Sequence, residues 1–149
     1  MSHLKDLKSI LLIDDDEASN FLHSIFVNKL NLELTVNAAL NGKEGLDFIL
    51  GNGAMALELP CLVLLDLRMP IMDGWEFVSM YEAKVPEHIK AQIKIVLVTV
   101  SDDQADKDRA EANVHVVDYA QKPLSDHTFK ALIKKHFGRV PGPASLARP

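Results

Sequence analysis

Acidic side chains follow the first and third of five short apolar runs in the sequence. The run Ile10–Ile13 is followed by the acidic stretch Asp14–Asp16, and the run Cys61–Leu65 is followed by Asp66. Runs of this kind are typical of buried strands in a parallel sheet, whose carboxyl ends form the usual ligand-binding edge. If the two runs are neighbouring strands, these carboxylates converge on one small patch.

Carboxylates gathered in one patch repel one another unless a cation neutralises them. Two unit charges 4 Å apart interact by about 1 kcal/mol in water and by about 4 kcal/mol at an effective dielectric constant of 20. Ligand sets made only of oxygen atoms favour Mg²⁺ over Zn²⁺. We therefore expect Asp14, Asp15 and Asp66 to form a site for Mg²⁺, or for the similar ion Mn²⁺.

A hydroxyl and an ammonium group complete the set at the same predicted edge. Thr99 lies near the end of the fourth apolar run, Ile93–Val100, and Lys122 follows the fifth run, Val114–Val117. Acids, a hydroxyl and a lysine together are typical of phosphoryl-transfer sites, where positioning and charge neutralisation do most of the work. A carboxylate at the centre of such a site can act as the nucleophile and form an aspartyl phosphate.

The elements that must position these residues alternate along the chain. Four of the apolar runs are nearly continuous, whereas Leu32–Val36 alternates and suits a strand near a sheet edge. Segments with helical spacing of apolar residues follow the runs, at 18–30, 46–50, 73–81, 102–112 and 124–137. This order predicts an α/β fold, a flavodoxin-like (βα)5 doubly wound parallel sheet with strand order 2-1-3-4-5 and helices on both faces.

Two segments stand out from this regular alternation. Segment 102–112 has alanines as its only apolar residues, so it can bury little and is predicted to be the most mobile helix. Segment 85–92, between the third helix and the fourth strand, is slightly longer than the connection requires.

Composition and charge exclude several classes of protein. The chain has 149 residues, about one domain, and its single cysteine, Cys61, cannot form an internal disulfide. No apolar stretch approaches the roughly 20 residues needed to span a bilayer. A net charge of −5 does not supply the cationic footprint of a nucleic-acid binder. We expect a cytoplasmic protein that contacts neither membrane nor nucleic acid directly.

Four stretches of sequence carry a resemblance to a known family. They read ILLIDDD at 10–16, LLDLRMPIMDG at 64–74, VT at 98–99 and YAQKP at 119–123. Together they resemble the receiver domain of two-component response regulators, in particular the single-domain, chemotaxis-regulator-like kind. The resemblance covers residues 9–137, with 1–8 as a lead-in and 138–149 as a flexible tail, and without an output domain.

The resemblance implies a role for each acidic residue. Asp66 would accept a phosphoryl group from the phosphohistidine of a sensor histidine kinase or a histidine phosphotransfer protein. Asp15 and Asp66 would bind Mg²⁺ directly, Asp14 would do so through water, and the backbone carbonyl of Arg68 would add a further ligand.

Other implied roles concern the response to phosphorylation. Thr99 and Lys122 would hold phosphoryl oxygens, Tyr119 would swing inward as Thr99 moves, and the peptide bond between Lys122 and Pro123 would be cis. The surface that changes would comprise segment 102–112, the fifth strand and the last helix. It would signal by contact with a downstream protein, and it offers a surface for a homodimer.

Two residues tune this expected chemistry. Val100 follows Thr99 where the family usually has a small residue, so its branched side chain would crowd the access of phosphoryl donors. Arg68 occupies a position that tunes the phosphate lifetime in the family, and its guanidinium could pair with phosphoryl oxygens. We therefore expect a long-lived phosphoryl state.

Two alternative functions are open at this point. The pair Asp14 and Asp16 after the first strand superficially fits the nucleophile motif of a small haloacid-dehalogenase-type phosphatase, although no matching acid pair follows the fourth strand. Turnover of a small phosphomonoester would mark such an enzyme, whereas a receiver carries out only its own phosphorylation and dephosphorylation. The other alternative is a degenerate receiver that binds partners without being phosphorylated, and Val100 favours it.

Overall fold

Five parallel strands alternate with helices in the computed structural model, which describes residues 7–30, 33–51 and 57–137. The elements are β1 (Ser9–Ile13), α1 (Glu17–Lys29), β2 (Thr35–Ala39), α2 (Gly42–Leu50), β3 (Cys61–Leu65), α3 (Gly74–Lys84), α4 (Glu87–Lys90), β4 (Ile93–Thr99), α5 (Gln104–Ala112), β5 (Val116–Gln121) and α6 (Asp126–Phe137). The sheet has the order β2-β1-β3-β4-β5, which confirms the predicted fold class. Within the described ranges, none of the helices has the length and apolar character needed to cross a membrane.

The central strands are buried on both faces because helices cover both sides of the sheet. Alternate residues of β1 point to opposite sides. Leu11 and Ile13 pack with buried residues of α2 and α3, whereas Ile10 and Leu12 pack with buried residues of α1 and α6. Helix α5 buries only Ala110, consistent with its thin apolar face. Its predicted mobility stays a prediction.

Strand register brings the two acidic strand ends together. β1 pairs with β3 in parallel, from Ser9 opposite Cys61 to Ile13 opposite Leu65. The residues that follow these last pairs are Asp14 and Asp66. Parallel pairing without an offset therefore places the two carboxylates beside each other at the carboxyl edge of the sheet.

The predicted bounds of two edge strands are wrong. The second strand is not Leu32–Val36 but β2, which begins three residues later, and residues 31–32 lie outside the described ranges. The fifth strand is not Val114–Val117 but β5, which continues through polar residues. An edge strand pairs with one neighbour and is partly exposed, so its ends are set by backbone pairing rather than by an apolar run.

The long connection noted at 85–92 contains the short helix α4, which the predicted fivefold alternation lacks. Pro86 precedes its first turn, in extended backbone. The Lys90 ammonium donates to the backbone oxygen of Glu82 at 3.1 Å and pairs with Glu87 at 3.1 Å. These contacts tie the added turn back to the end of α3.

The predicted terminal segments fall mostly outside the described residues. Residues 1–6 of the lead-in and the whole of the tail, 138–149, are outside them. Leu7 packs against the side of the core formed with α1 and α6, and the Lys8 amide donates to the Pro60 carbonyl at 2.9 Å.

Candidate functional site

Three carboxylates meet where β1 and β3 end. Asp14 and Asp66 are buried, at 4% and 7% exposure, while Asp15 is exposed. One oxygen from each lies within 4.8 Å of the others. The Asp14 amide donates to the Ala39 carbonyl at 3.0 Å, and the Asp66 amide donates to the Ile13 carbonyl at 2.9 Å. These bonds continue the sheet past the strand ends and fix the backbone that carries the buried acids.

The turn between β1 and α1 is held by hydrogen bonds to Asp14. Its side chain accepts from the Asp16 amide at 2.9 Å, and its carbonyl accepts from the Asn20 side chain at 3.0 Å. Asp16 in turn caps α1 by accepting from the Ala18 amide at 3.0 Å. Asn20, a buried amide on α1, is not among the residues predicted from the sequence. The burial of its polar side chain below the acidic turn is the feature that marks it.

Lys122 links the two buried carboxylates. Its ammonium donates a hydrogen bond to Asp14 and lies 3.7 Å from an oxygen of Asp66. The Lys122 amide donates to the Thr99 carbonyl at 2.8 Å, and the bond to Pro123 is cis, as predicted. One positive charge is thus placed between two negative ones at the edge of the sheet.

Asp66 occupies a partly desolvated position that still provides hydrogen-bond donors. Burial, together with repulsion from Asp14, raises the pKa of Asp66, whereas Lys122 and hydrogen bonds from the Thr99 hydroxyl and the Leu67 amide act against this rise. The Leu67 amide lies 2.9 Å from the accepting oxygen. Thr99 is fully buried at the end of β4. The donors that hold this carboxylate are also suited to hold oxygens of a group attached to it.

The loop from Asp66 to α3 folds tightly back on itself. The Gly74 amide donates to the Leu67 carbonyl at 2.9 Å. A Cβ atom at Gly74 would lie 2.6 Å from the Asp66 carbonyl oxygen and 2.8 Å from the Leu67 Cα, closer than side chains tolerate. Asp73 and Glu76 form a capping box that begins α3 immediately afterwards. The glycine allows α3 to start directly against the acidic strand end.

The predicted switch and tuning residues surround this cluster. The Tyr119 hydroxyl donates to the Ser101 carbonyl at 2.6 Å, so the ring is tied to the loop after Thr99. Val100 is 67% exposed and lines a cavity of about 270 Å³ together with Lys122 and Pro123. The Arg68 side chain is exposed on the loop that follows Asp66.

The donor set suits a small divalent cation. Within the described ranges, the Asp14, Asp15 and Asp66 group is the one cluster of three or more acidic, histidine or cysteine side chains whose ligand atoms approach closely enough. All of its donors are carboxylate oxygens, which Mg²⁺ and Mn²⁺ prefer over softer ligands. The acidic cluster therefore fits the metal that the sequence predicts.

Comparison with known proteins identifies the family to which the chain belongs. Residues 10–134, which contain the whole cluster, match the response regulator receiver domain. The chain belongs to this family. The resemblance seen in the sequence motifs is thereby confirmed.

Curated relatives of this receiver match it over different shares of their own length. The probable methanogenesis regulatory protein FilR2 of Methanothrix harundinacea is 34% identical over 141 residues, which cover 91% of this chain and 88% of that relative. The probable C4-dicarboxylate response regulator DctR of Halalkalibacterium halodurans is 28% identical, and the match covers 85% of this chain but 50% of DctR.

Solved structures of other receivers share the fold. The response regulator receiver protein from Dyadobacter fermentans superposes with a TM-score of 0.73 at 26% identity, covering 87% of this chain and 96% of that one. The two-component response regulator from Cytophaga hutchinsonii gives a TM-score of 0.74 at 26% identity, covering 86% and 95%.

Proposed function

We propose that this receiver is a phosphoacceptor switch in which Asp66 takes the phosphoryl group and residues 9–137 form the working unit. The observation that carries the proposal is the setting of Asp66, buried 3.7 Å from the Lys122 ammonium and within 4.8 Å of Asp14 and Asp15 oxygens. Receivers are signalling switches rather than typical enzymes, so we expect self-phosphorylation and self-dephosphorylation to be the only chemistry.

The proposed reaction transfers a phosphoryl group from nitrogen to oxygen. The donor is a phosphohistidine on a sensor histidine kinase or a histidine phosphotransfer protein. A carboxylate oxygen of Asp66 attacks the phosphorus, the P–N bond breaks, and its electron pair stays on the imidazole nitrogen of the donor. Positioning and neutralisation of charge supply most of the acceleration in such a transfer.

Each neighbouring group has a part in this step. Asp15 and Asp66 are the proposed direct ligands of Mg²⁺, with Asp14 acting through water and the Arg68 carbonyl as a further ligand. Mg²⁺, when bound there, would supply positive charge to the acidic cluster and to a phosphoryl oxygen. Lys122 supplies a second positive charge, and its contact with Asp14 keeps the ammonium beside Asp66. The Thr99 hydroxyl acts to lower the pKa of Asp66 through a hydrogen bond and is the proposed donor to another phosphoryl oxygen.

Intact mass measurement with acetyl phosphate tests the acceptor. We expect one phosphoryl adduct on the wild-type chain that requires Mg²⁺ and is absent in Asp66→Asn. Asp108→Asn is the matched control, because this exposed carboxylate lies outside the cluster and should leave the adduct unchanged. An adduct that persists in Asp66→Asn contradicts the assignment.

A missing wild-type adduct has two separable explanations. Recovery of the adduct in Val100→Ala shows that the valine excludes the small donor, and acceptor chemistry at Asp66 then stands. Absence of the adduct in both chains favours the second candidate, a binding module that works without phosphorylation.

Thermal unfolding tests the metal separately from the phosphoryl group. A ligand that binds only the folded state stabilises it by mass action. We expect Mg²⁺ to raise the melting temperature of the wild-type chain and to have little effect on Asp15→Asn. An equal rise in both proteins would remove Asp15 from the proposed ligands.

We also propose that Arg68 and Val100 lengthen the phosphoryl lifetime. Both side chains are exposed beside the cluster, Arg68 on the loop after Asp66 and Val100 beside Lys122. Arg68→Ala and Val100→Ala should therefore lose the phosphoryl group several-fold faster than wild type, followed by mass after removal of the donor. Decay rates equal to the wild-type rate contradict this tuning.

The proposed output surface is the face formed by α5, β5 and α6, through which the receiver contacts a downstream protein. A groove of about 380 Å³ between α5 and β5, lined in part by Lys107, Ala110, Val116 and Tyr119, supports this choice. The same face is the proposed surface for a homodimer. Light scattering before and after phosphorylation tests the dimer. The Val117 side chain is exposed on β5, so Val117→Glu should weaken the dimer.

A further inference from the structure

A polar bridge joins helix α3 to the loop that follows β4. The Trp75 indole N–H donates to one oxygen of Asp106 at 3.2 Å, and the Ser101 hydroxyl donates to the other oxygen at 2.9 Å. Asp106 lies on α5, so a single carboxylate connects three parts of the fold. None of these three residues is assigned to the metal, the phosphoryl group or the tuning of its lifetime.

One end of the bridge is anchored beside the phosphoacceptor. Trp75 follows Gly74, whose amide bonds to the Leu67 carbonyl and whose Cα is packed against the backbone of Asp66 and Leu67. Trp75 and Asp106 also line, with Leu67 and other loop residues, a cavity of about 320 Å³ next to that loop. The tryptophan is therefore held against the loop that follows Asp66.

The other end of the bridge is anchored at the switch residues. Ser101 lies two residues after Thr99, and its amide faces the Thr99 hydroxyl at 3.4 Å. Its carbonyl accepts the hydrogen bond of the Tyr119 hydroxyl at 2.6 Å. The hydroxyl of Ser101 and its carbonyl thus bind Asp106 and Tyr119 respectively.

The bridge matters for the position of α5 because this helix makes few other contacts with the core. Ala110 is the only buried residue of this helix. The Arg109 guanidinium lies 4.4 Å from the centre of the Trp75 ring, a cation–π contact that adds a second link between α5 and α3. A helix with little apolar burial is repositioned at low cost, so polar contacts of this kind decide where it rests.

We propose that Asp106 is a positioning residue that couples the phosphoacceptor loop to the Ser101–Tyr119 switch through Trp75. This rests on the proposed phosphorylation of Asp66. When Thr99 shifts toward a phosphoryl group, Ser101 shifts with it, Asp106 follows, and both α5 and the indole of Trp75 change their surroundings. The receiver thereby moves α5 and Tyr119 together rather than independently.

Fluorescence tests the bridge first without any phosphoryl donor. Trp75 is the only tryptophan of the chain, so its emission has no other source. Ser101 bonds to Asp106, so Ser101→Ala should shift the Trp75 emission through the bridge, and Asp106→Ala should shift it further. Asp108→Ala is the matched control, because this exposed aspartate on the same helix bonds to Gln104 and should leave the emission unchanged. An unchanged emission in Ser101→Ala overturns the bridge.

The second measurement adds acetyl phosphate and Mg²⁺ and follows intact mass and emission on the same samples. We expect the wild type and Asp108→Ala to change emission in step with the adduct. Asp106→Ala should still form the adduct but lose most of that emission change, and Asp106→Asn, which keeps one acceptor for Trp75, should recover part of it. A helix contact that served stability alone would leave the phosphorylation-dependent change intact and would overturn the proposal.

The two proposals fail in distinguishable ways. Absence of the adduct in both the wild-type chain and Val100→Ala overturns the proposed acceptor, while the donor-free emission of Ser101→Ala still decides the bridge. A wild-type chain that forms the adduct without any emission change overturns the coupling and leaves the acceptor in place.

Discussion

Asp66 is held in its buried setting at a cost to the stability of the fold. Burial and the nearby Asp14 raise its pKa, since both disfavour the charged form. Asp66→Asn keeps the size of the side chain and removes this charge. In Mg²⁺-free buffer at neutral pH we expect the free energy of unfolding to rise by about 1 kcal/mol, the scale of a close pair of like charges in water. Urea unfolding of the two proteins measures the difference.

The pH dependence of that difference has a defined sign. A carboxyl whose pKa is raised on folding binds its proton more tightly in the folded state than in the unfolded state. The fold therefore loses stability as pH rises from the unfolded pKa, about 3.9, through the raised folded pKa. The gain from Asp66→Asn should therefore be absent at low pH and grow through this window. Asp108→Asn should show no such growth, and an Asp66→Asn protein less stable than wild type at neutral pH contradicts the electrostatic account.

Residue types and strand order were sufficient to predict the acidic cluster. Asp14, Asp66, Thr99 and Lys122 each follow or end a strand, and parallel strands bring their carboxyl ends to one edge whatever the details of packing. Ser101 and the contacts within the bridge could not be predicted this way. They depend on how α3 and α5 are rotated against each other, which the periodicity of α5, with alanines as its only apolar residues, does not specify.

At the scale of elements, the bounds of the central strands were predictable from the sequence, whereas the bounds of the edge strands were not. The run at β3 coincides with its observed bounds because both of its faces are buried and its sequence is apolar throughout. β5 continues past its apolar run because pairing with β4 holds Asp118, Tyr119 and Gln121 in the strand. The extra helix α4 was missed because one turn is too short to show a helical repeat.

The packing of β5 against α6 includes an ion pair with a predictable pH response. Asp118 lies 2.8 Å from a ring nitrogen of His136 and 3.0 Å from the Lys135 ammonium. Burial acts to raise the pKa of Asp118, but hydrogen bonds from His136, the Tyr119 amide and Lys135 outweigh it and hold the pKa below its usual value. These contacts favour the charged carboxylate in the folded state.

Replacement of Asp118 should therefore destabilise the fold in a pH-dependent way. A carboxyl with a lowered pKa contributes stability above its unfolded value, about 3.9, and loses it as pH falls through the folded value. We expect Asp118→Asn to lower the free energy of unfolding by about 0.2–1 kcal/mol at neutral pH, the range of solvent-accessible ion pairs. Urea unfolding from pH 7 down to pH 3 should show the difference between wild type and Asp118→Asn shrinking. Glu111→Gln, at an exposed position, is the control and should unfold with the wild-type free energy throughout. A difference that does not shrink points to lost packing instead.

At the scale of the whole molecule, the candidate site lies at the carboxyl edge of a sheet whose central strands are buried on both faces. β3 lies between β1 and β4 and is covered on both faces, so it is the strand farthest from solvent. Its first residue, Cys61, is fully buried, and burial raises the pKa of its thiol to about 12. Asp66, the proposed acceptor, follows the other end of the same strand. Its phosphorylation therefore tests the local chemistry of the site, whereas alkylation of Cys61 tests whether the sheet stays closed.

Alkylation of Cys61 should follow the opening of the whole fold. The reactive species is the thiolate, which is both scarce and shielded in the folded state. With iodoacetamide at pH 8 we expect slow modification in native buffer, and a rate that rises with urea in parallel with the unfolded fraction. The matched control is Cys61→Ala combined with Ala83→Cys, which places the thiol at an exposed position of α3, where urea should hardly change its alkylation rate. If wild-type Cys61 reacts in native buffer as fast as this control, β3 opens locally, and the proposed acceptor Asp66 at its far end is not carried by a rigid strand.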